Sequence, residues 1–291
     1  RLPKALSNIA KKSVAVVGLG SVGSKIAVSL ARTGVNRFYL VDADVFLPEN
    51  ISRHSLDWRY VGEHKVDAVA AVLNTIVPEL DIRISRLHLT GQEATSSLSE
   101  TLEKLADYDL IIDATADAGV FNLLTAVTIT YEKSMLWMEV YAGGIGGFIA
   151  RSRTGIDPHP QIMRAAYNAF TRDHPAPELV STGAYAAQDA TGQPLVASDA
   201  DVSVIAGWAT RLALDTLVGD DSTSFPYSMY LIGLANTWVF KAPFDTIPIA
   251  TDNLSEIAPM SQADADLSEL AEFLVEILEK RKDAATSTED S

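Results

Sequence analysis

Apolar and polar positions follow two distinct periods along the first half of this chain, and the switches between them mark its elements. Val14–Val17, leading into Gly18, is a short continuous apolar run, as a central parallel strand buried on both faces requires. From Ser21 to Ala31 the apolar residues Val22, Ile26 and Leu30, with Ala27 and Ala31, recur at a helical spacing that Thr33-Gly34 ends. Arg37–Asp42 predicts a second strand and Val66–Val77 a helix stopped by Pro78. Ile82–Leu87 alternates apolar with polar, as a strand with one open face does. Leu102–Leu105 predicts a helix, and Tyr108–Asp113 a third buried strand. Strands alternating with helices imply right-handed crossovers and an α/β fold: a Rossmann-like, doubly wound, mainly parallel sheet.

After about Ser134 the pattern changes. Met135–Tyr141 and Ile145–Arg153 flank Gly143-Gly144, which predicts adjacent strands joined by a tight turn and so an antiparallel extension in the second half. Asp173–Asp199, rich in Pro, Ala, Thr and Gly, predicts a long mobile loop. Val202–Val218 returns to helix, and Ser228–Phe240 adds edge strands. Leu267–Lys282 has the pattern of an amphipathic helix, acidic at its start and basic at Lys280-Arg281-Lys282, in keeping with its dipole. The expected organisation is a Rossmann-like nucleotide-binding domain over 1–155, an elaboration of the same domain over 156–283 with the mobile loop near 173–199, and a disordered tail over 284–291.

Composition narrows the function classes. With 291 residues, 47% of them apolar, the chain can bury a sizeable core. The 38 acidic against 23 basic residues give a net charge of −15, which repels phosphate backbones and argues against a nucleic-acid partner. No cysteine is present, so this chain contains no disulfide, thiolate zinc site or thiol nucleophile; that usage fits the cytoplasm. No apolar run approaches the roughly 18 residues of a membrane span, and no membrane association is expected. The chain begins at Arg1 rather than Met, which leaves room for an upstream segment.

The candidate chemistry starts between the first strand and helix. Gly18, Gly20 and Gly23 stand in the spacing G-x-G-x-x-G: the first for a tight turn, the second for close approach of a phosphate, the third for close helix packing. A glycine turn needed for packing alone is the competing reading. Asp42 ends the second strand, where a carboxylate accepts hydrogen bonds from ribose hydroxyls. NAD and ATP both carry that ribose, so Asp42 does not choose between them. Asn50, Arg53 and Lys65 do, because transfer of an adenylate piles charge onto a triphosphate and needs cations, while a dehydrogenase needs none of the three. Arg53 supplies a fork, Lys65 a point charge, and Asn50 an orienting amide. Taken singly, Arg53 and Lys65 are ordinary solvated charges; their arrangement after Asp42 is what points to ATP.

The combined segment Asp42-Ala-Asp44, Asn50-Ile-Ser-Arg53-His54 and Gly62-Glu-His-Lys65 resembles the ThiF-type family, which includes molybdopterin and thiamine biosynthesis adenylyltransferases and ubiquitin-activating enzymes. The resemblance covers roughly residues 5–155. It implies a site for ATP and Mg2+, with Asp42, Asp44 and Asp113 among the nucleotide-binding residues and Asn50, Arg53 and Lys65 at the phosphates. It also implies adenylation of the C-terminal glycine carboxylate of a ubiquitin-like or sulfur-carrier protein, a homodimer, and an arginine lent by an N-terminal segment of the neighbouring subunit.

Three departures qualify it. The family's Asp-x-Thr-Asp-Asn run is here Asp113-Ala-Thr115-Ala116-Asp117, so Ala116 stands where a magnesium carboxylate belongs and Asp117 is the candidate metal ligand in its place. Asp113 and Thr115 capping the next helix is the plain structural alternative. Asp157-Pro158-His159-Pro160 occupies the region of the family's paired zinc cysteines, so no structural zinc is expected. The thioester cysteine is absent too. That leaves a member that only adenylates, a chain whose cysteine has been replaced, or a degenerate scaffold subunit of an activating enzyme; an NAD-dependent oxidoreductase is a further alternative.

Overall fold

The first strand, β1 (Ser13–Val17), is buried along its whole length, and the two-residue period of a strand divides its side chains. Val14 and Val16 enter one hydrophobic core while Ala15 and Val17 enter a second on the opposite sheet face. A strand covered on both sides has no position for a polar residue, which is why Val14–Val17 carries none. The structure, a computed structural model, describes residue 6 and residues 8–90, 95–177, 180–183, 186–188, 192, 194–219 and 223–251. The expected helix at 267–282 and the tail at 284–291 lie outside the described residues.

Along the chain follow α1 (Ser21–Thr33), β2 (Arg37–Val41), α2 (Lys65–Ile76), β3 (Asp81–Ser85), α3 (Thr95–Leu105), β4 (Leu110–Asp113), α4 (Ala118–Thr130), β5 (Ser134–Val140) and β6 (Gly146–Ser152). The second half adds α5 (Pro160–Asp173), β7 (Val180–Gly183), β8 (Ala186–Gln188), β9 (Pro194–Val196), α6 (Asp199–Val218), β10 (Met229–Gly233) and β11 (Thr246–Pro248). One sheet runs β11-β10-β6-β5-β4-β1-β2-β3. From β3 to β5 all pairs are parallel, and β6, β10 and β11 extend it antiparallel. The expected doubly wound sheet with an antiparallel extension is what forms. Side chains of α1, α2 and α6 fill one core; those of α3, α4 and α5 fill the other.

β5 and β6 meet through Ala142–Gly144, where Gly143 and Gly144 both take positive φ, so the tight turn expected there forms. The stretch 173–199 departs from expectation. Its described part is not a long loop but a three-stranded antiparallel sheet, β7-β8-β9, leading into α6. Strands of three or four residues built on Gly, Ala and Ser have too few apolar positions to show an alternating pattern. Strand β3 pairs with β2 alone and is largely open, with Ile84 exposed, as suits the sheet's edge.

Candidate functional site

The three glycines after β1 have three different jobs. Gly18 has φ +85°, and a Cβ there would lie 2.9 Å from the backbone of Ala114. Gly23 is packed more tightly still: its Cβ would sit 1.9 Å from the Gly18 carbonyl oxygen, so only glycine lets α1 approach the turn. Gly20 caps the N-terminus of α1 and has open space within 4 Å of where a Cβ would be. That open face lines a cavity of about 280 Å³ at the C-terminal ends of β1, β2 and β4, the place where parallel α/β sheets bind ligands, with amides of a helix N-terminus turned toward it.

Asp42, Asp44 and Lys65 line the same cavity. Asp42 Oδ2 accepts the Leu19 amide at 2.6 Å and Oδ1 accepts the Asp44 amide at 2.8 Å. Burial raises its pKa, against the opposing pull of the Lys65 charge and of the two amides. One carboxylate therefore shapes both the glycine turn and the turn after β2. Lys65, the first residue of α2, is buried apart from its cavity face; its Nζ donates to Asp44 Oδ2 at 2.6 Å, and its backbone amide donates to the Asp44 carbonyl. Two of the three ammonium hydrogens are not spent on Asp44.

His54 stands in the motif with no role that its sequence position assigns, and the structure gives it one. Its Nε2 donates to the Leu19 carbonyl at 2.7 Å while Nδ1 accepts the Leu56 amide at 3.1 Å, which fixes a neutral Nε2–H imidazole. Burial lowers its pKa to about 4. The ring packs at 4.9 Å against Phe46. Leu19, between the first two glycines, is thus held on its amide side by Asp42 and on its carbonyl side by His54. A histidine immediately after Arg53 is visible in the sequence; its contact 35 residues back is not.

Asn50 and Arg53 stand elsewhere: neither is among the residues lining this cavity. Asn50 Oδ1 accepts the Leu47 amide at 3.0 Å and braces its own turn, Pro48–Asn50. On the other wall, Asp113 ends β4 almost fully buried, and Thr115 donates to its Oδ1 from both amide and hydroxyl. Burial drives the Asp113 pKa up to about 6. Asp117 lines the cavity and caps α4, its Oδ1 accepting the Val120 amide at 2.9 Å. Ala116 adopts φ +55°, a left-handed conformation that costs a residue with a Cβ on the order of 1 kcal/mol. Among the described residues no three His, Asp or Glu side chains gather as a metal site. Mg2+ commonly takes only one or two carboxylates and leaves its other positions to phosphates and water. Asp117, with Asp113 behind it, fits a magnesium ion that arrives on a nucleotide and not one held by protein alone.

Residues 3–255 match the model of the ThiF family. The chain belongs to the ThiF family. Its relatives include the ATP-dependent ubiquitin transferase-like protein Cap2 of Enterobacter hormaechei subsp. hoffmannii, 36% identical over 149 residues that cover 50% of this chain and 24% of that one. The tRNA threonylcarbamoyladenosine dehydratase of Bacillus subtilis is 38% identical over 113 residues, covering 38% of this chain and 41% of the relative. The chain therefore spans less than half the length of these curated relatives. Among solved structures, Escherichia coli MccB with ATP superposes with a TM-score of 0.63 over 88% of this chain and 69% of that one; at 11% identity this likeness shows the fold alone. No helix among the described residues is long and apolar enough to cross a membrane.

Proposed function

We propose that this ThiF-family chain adenylates the C-terminal glycine carboxylate of a ubiquitin-like or sulfur-carrier protein. The observation that carries the reading is the convergence of Gly20's open face, the Asp42 carboxylate and the Lys65 ammonium on one cavity. A ribose fits against Asp42, whose oxygens keep lone pairs beyond those used by Leu19 and Asp44. The phosphates then run toward Gly20 and Lys65, where backbone amides and an ammonium meet their charge.

The carboxylate nucleophile is already ionised at neutral pH, so no general base is required. One of its oxygens attacks the α-phosphorus in line, the bond to the bridging oxygen breaks, and pyrophosphate leaves with the electron pair; the product is an acyl adenylate. Catalysis then consists of positioning and of stabilising the charge on the departing phosphates. Asn50 and Arg53 act at those phosphates in this reading, brought in from the segment that His54 ties to the glycine turn. Asp117 would hold Mg2+, which would offset phosphate charge when bound. With no cysteine in the chain, the acyl group passes to an acceptor that this chain does not itself provide as a thiol.

The names of the relatives support a protein or peptide carboxylate as the substrate class. The dehydratase's tRNA does not redirect the reading to nucleic acid, because a net charge of −15 opposes a polyanion. A homodimer in the cytoplasm completes the proposal. ATP–pyrophosphate exchange tests it: exchange appears only with a cognate carboxylate present, and Lys65→Ala abolishes it. A degenerate scaffold subunit, favoured by the absent cysteine and by Ala116 in the magnesium position, predicts no exchange with any carboxylate.

A further inference from the structure

Beside the nucleotide cavity lies a second one of about 130 Å³, and Asp117 lines both. Its walls are Phe121, Trp137, Met138, Phe148 and Tyr167. The aromatic rings brace one another: Phe121 meets Trp137 edge-on at 5.4 Å, Phe148 meets Tyr167 at 4.4 Å, and the Tyr167 hydroxyl donates to Tyr141 at 3.0 Å. Walls fixed in this way form a preshaped apolar recess, with room for several waters and so for an aliphatic side chain.

The polar groups on its rim are unspent. Arg164, on α5, lays its guanidinium 4.7 Å over the Phe121 ring, and among the described residues it makes no ion pair or hydrogen bond. Glu139 also lines the recess with no hydrogen bond among the described residues. Protein crowds it closely enough to raise its pKa, an effect the Arg164 charge partly offsets. With Asp113, Asp117 and Glu139 nearby, an incoming carboxylate meets three negative groups, and Arg164 is the cation lining the recess.

Resting on the adenylation reading, we propose that this recess selects the tail to be activated: it takes an apolar, leucine-sized side chain from the residue before the terminal glycine, while Arg164 draws in the terminal carboxylate. A glycine at that position would leave the aromatic walls facing water. Glu139 accepts a backbone amide of the tail. One extended residue spans about 3.5 Å, so a terminal glycine carries its carboxylate from the recess across the Asp113–Asp117 wall toward the nucleotide.

The test uses the whole chain and heptapeptides ending Leu-Gly, Gly-Gly, or Leu-Gly as the terminal amide, with binding read by calorimetry and thermal melts as the folding control. The Leu-Gly acid binds at least tenfold tighter than the Gly-Gly acid. Asn168→Trp, a substitution at an exposed position on the rim, fills the recess and erases that difference. Arg164→Ala weakens the Leu-Gly acid about tenfold but not its amide, and Arg164→Lys restores part of the loss. Equal binding of the two acids, or equal loss for acid and amide in Arg164→Ala, overturns the inference. The adenylation reading fails separately, if the Leu-Gly preference is present and pyrophosphate exchange is not.

Discussion

Adding one methyl group at Gly20 and one at Gly23 should separate the ligand-facing glycine from the packing glycine. At Gly23 the new Cβ would stand 1.9 Å from the backbone oxygen of Gly18 and 3.1 Å from the Ala114 side chain. Backbone cannot step aside as a flexible side chain can, so α1 must shift from the turn. Alanine would otherwise favour the helix by about 1 kcal/mol over glycine. Overpacking of this kind costs about 3 kcal/mol or more and outweighs that gain. At Gly20 φ is −73° and no heavy atom lies within 4 Å of the added Cβ, so the folded chain accepts it. Lower unfolded-state entropy favours the alanine variant by about 0.4–1 kcal/mol, and its poorer N-cap costs a similar amount. Gly20→Ala should therefore melt within about 2 °C of the parent, whereas Gly23→Ala should melt at least roughly 6 °C lower. The methyl added at Gly20 projects into the cavity where phosphate is proposed to lie, so ATP affinity should fall at least tenfold, or about 1.4 kcal/mol. Differential scanning calorimetry and ATP titration on the same samples measure both. Full ATP affinity in Gly20→Ala would refute the placement of phosphate against this turn.

Three further outcomes follow from the same geometry. Asp113, raised to about 6 from 3.8, weakens the fold as pH rises through that interval, while His54, lowered to about 4 from 6.5, weakens it as pH falls through nearly the same one. Each is worth on the order of 3 kcal/mol, and the slopes oppose. Asp113→Asn should lose stability on acidification from about pH 6.5 to 4.5, and His54→Gln should lose it in the other direction; urea midpoints at the two pH values check both signs. Ala116→Asp should tighten Mg2+-dependent ATP binding several-fold with little change in melting, since Asp tolerates positive φ better than Ala; titration of ATP with and without Mg2+ measures it. Breaking the buried pair of Arg151 with Asp215 by Asp215→Ala strands a fully buried guanidinium and should cost about 3–5 kcal/mol by urea unfolding, with ATP affinity unchanged, because the pair ties β6 to α6 far from Gly20.

Much of the parallel half was legible because buried strands and amphipathic helices leave strong local periods. Val14–Val17 showed no polar position because both faces are covered, and α1 showed its stripe because one face packs inward. Helix α5 is not legible although Pro160 stands at its first turn, since only Pro160, Met163 and Ala166 of its fourteen residues are buried. The small sheet β7-β8-β9 was unreadable because its order resides in cross-strand pairing. At the site, Gly18, Gly20, Asp42, Asp44, Lys65 and Asp117 were named from sequence and do line one cavity; Gly23 packs behind them and Asp113 borders the neighbouring recess. The roles of His54, itself part of the motif, and of Arg164 are not legible in sequence, because each acts through a contact made in space. A histidine that bridges a loop and an arginine over a ring look, in sequence, like any surface residue.

The most direct test of the central claim is a calorimetric titration of this chain with ATP–magnesium and, separately, with NAD, repeated for Lys65→Ala. The adenylation reading predicts that ATP binds, that NAD does not, and that the variant loses ATP affinity at least tenfold while keeping its melting transition. NAD binding without ATP, or ATP binding indifferent to Lys65, would contradict it.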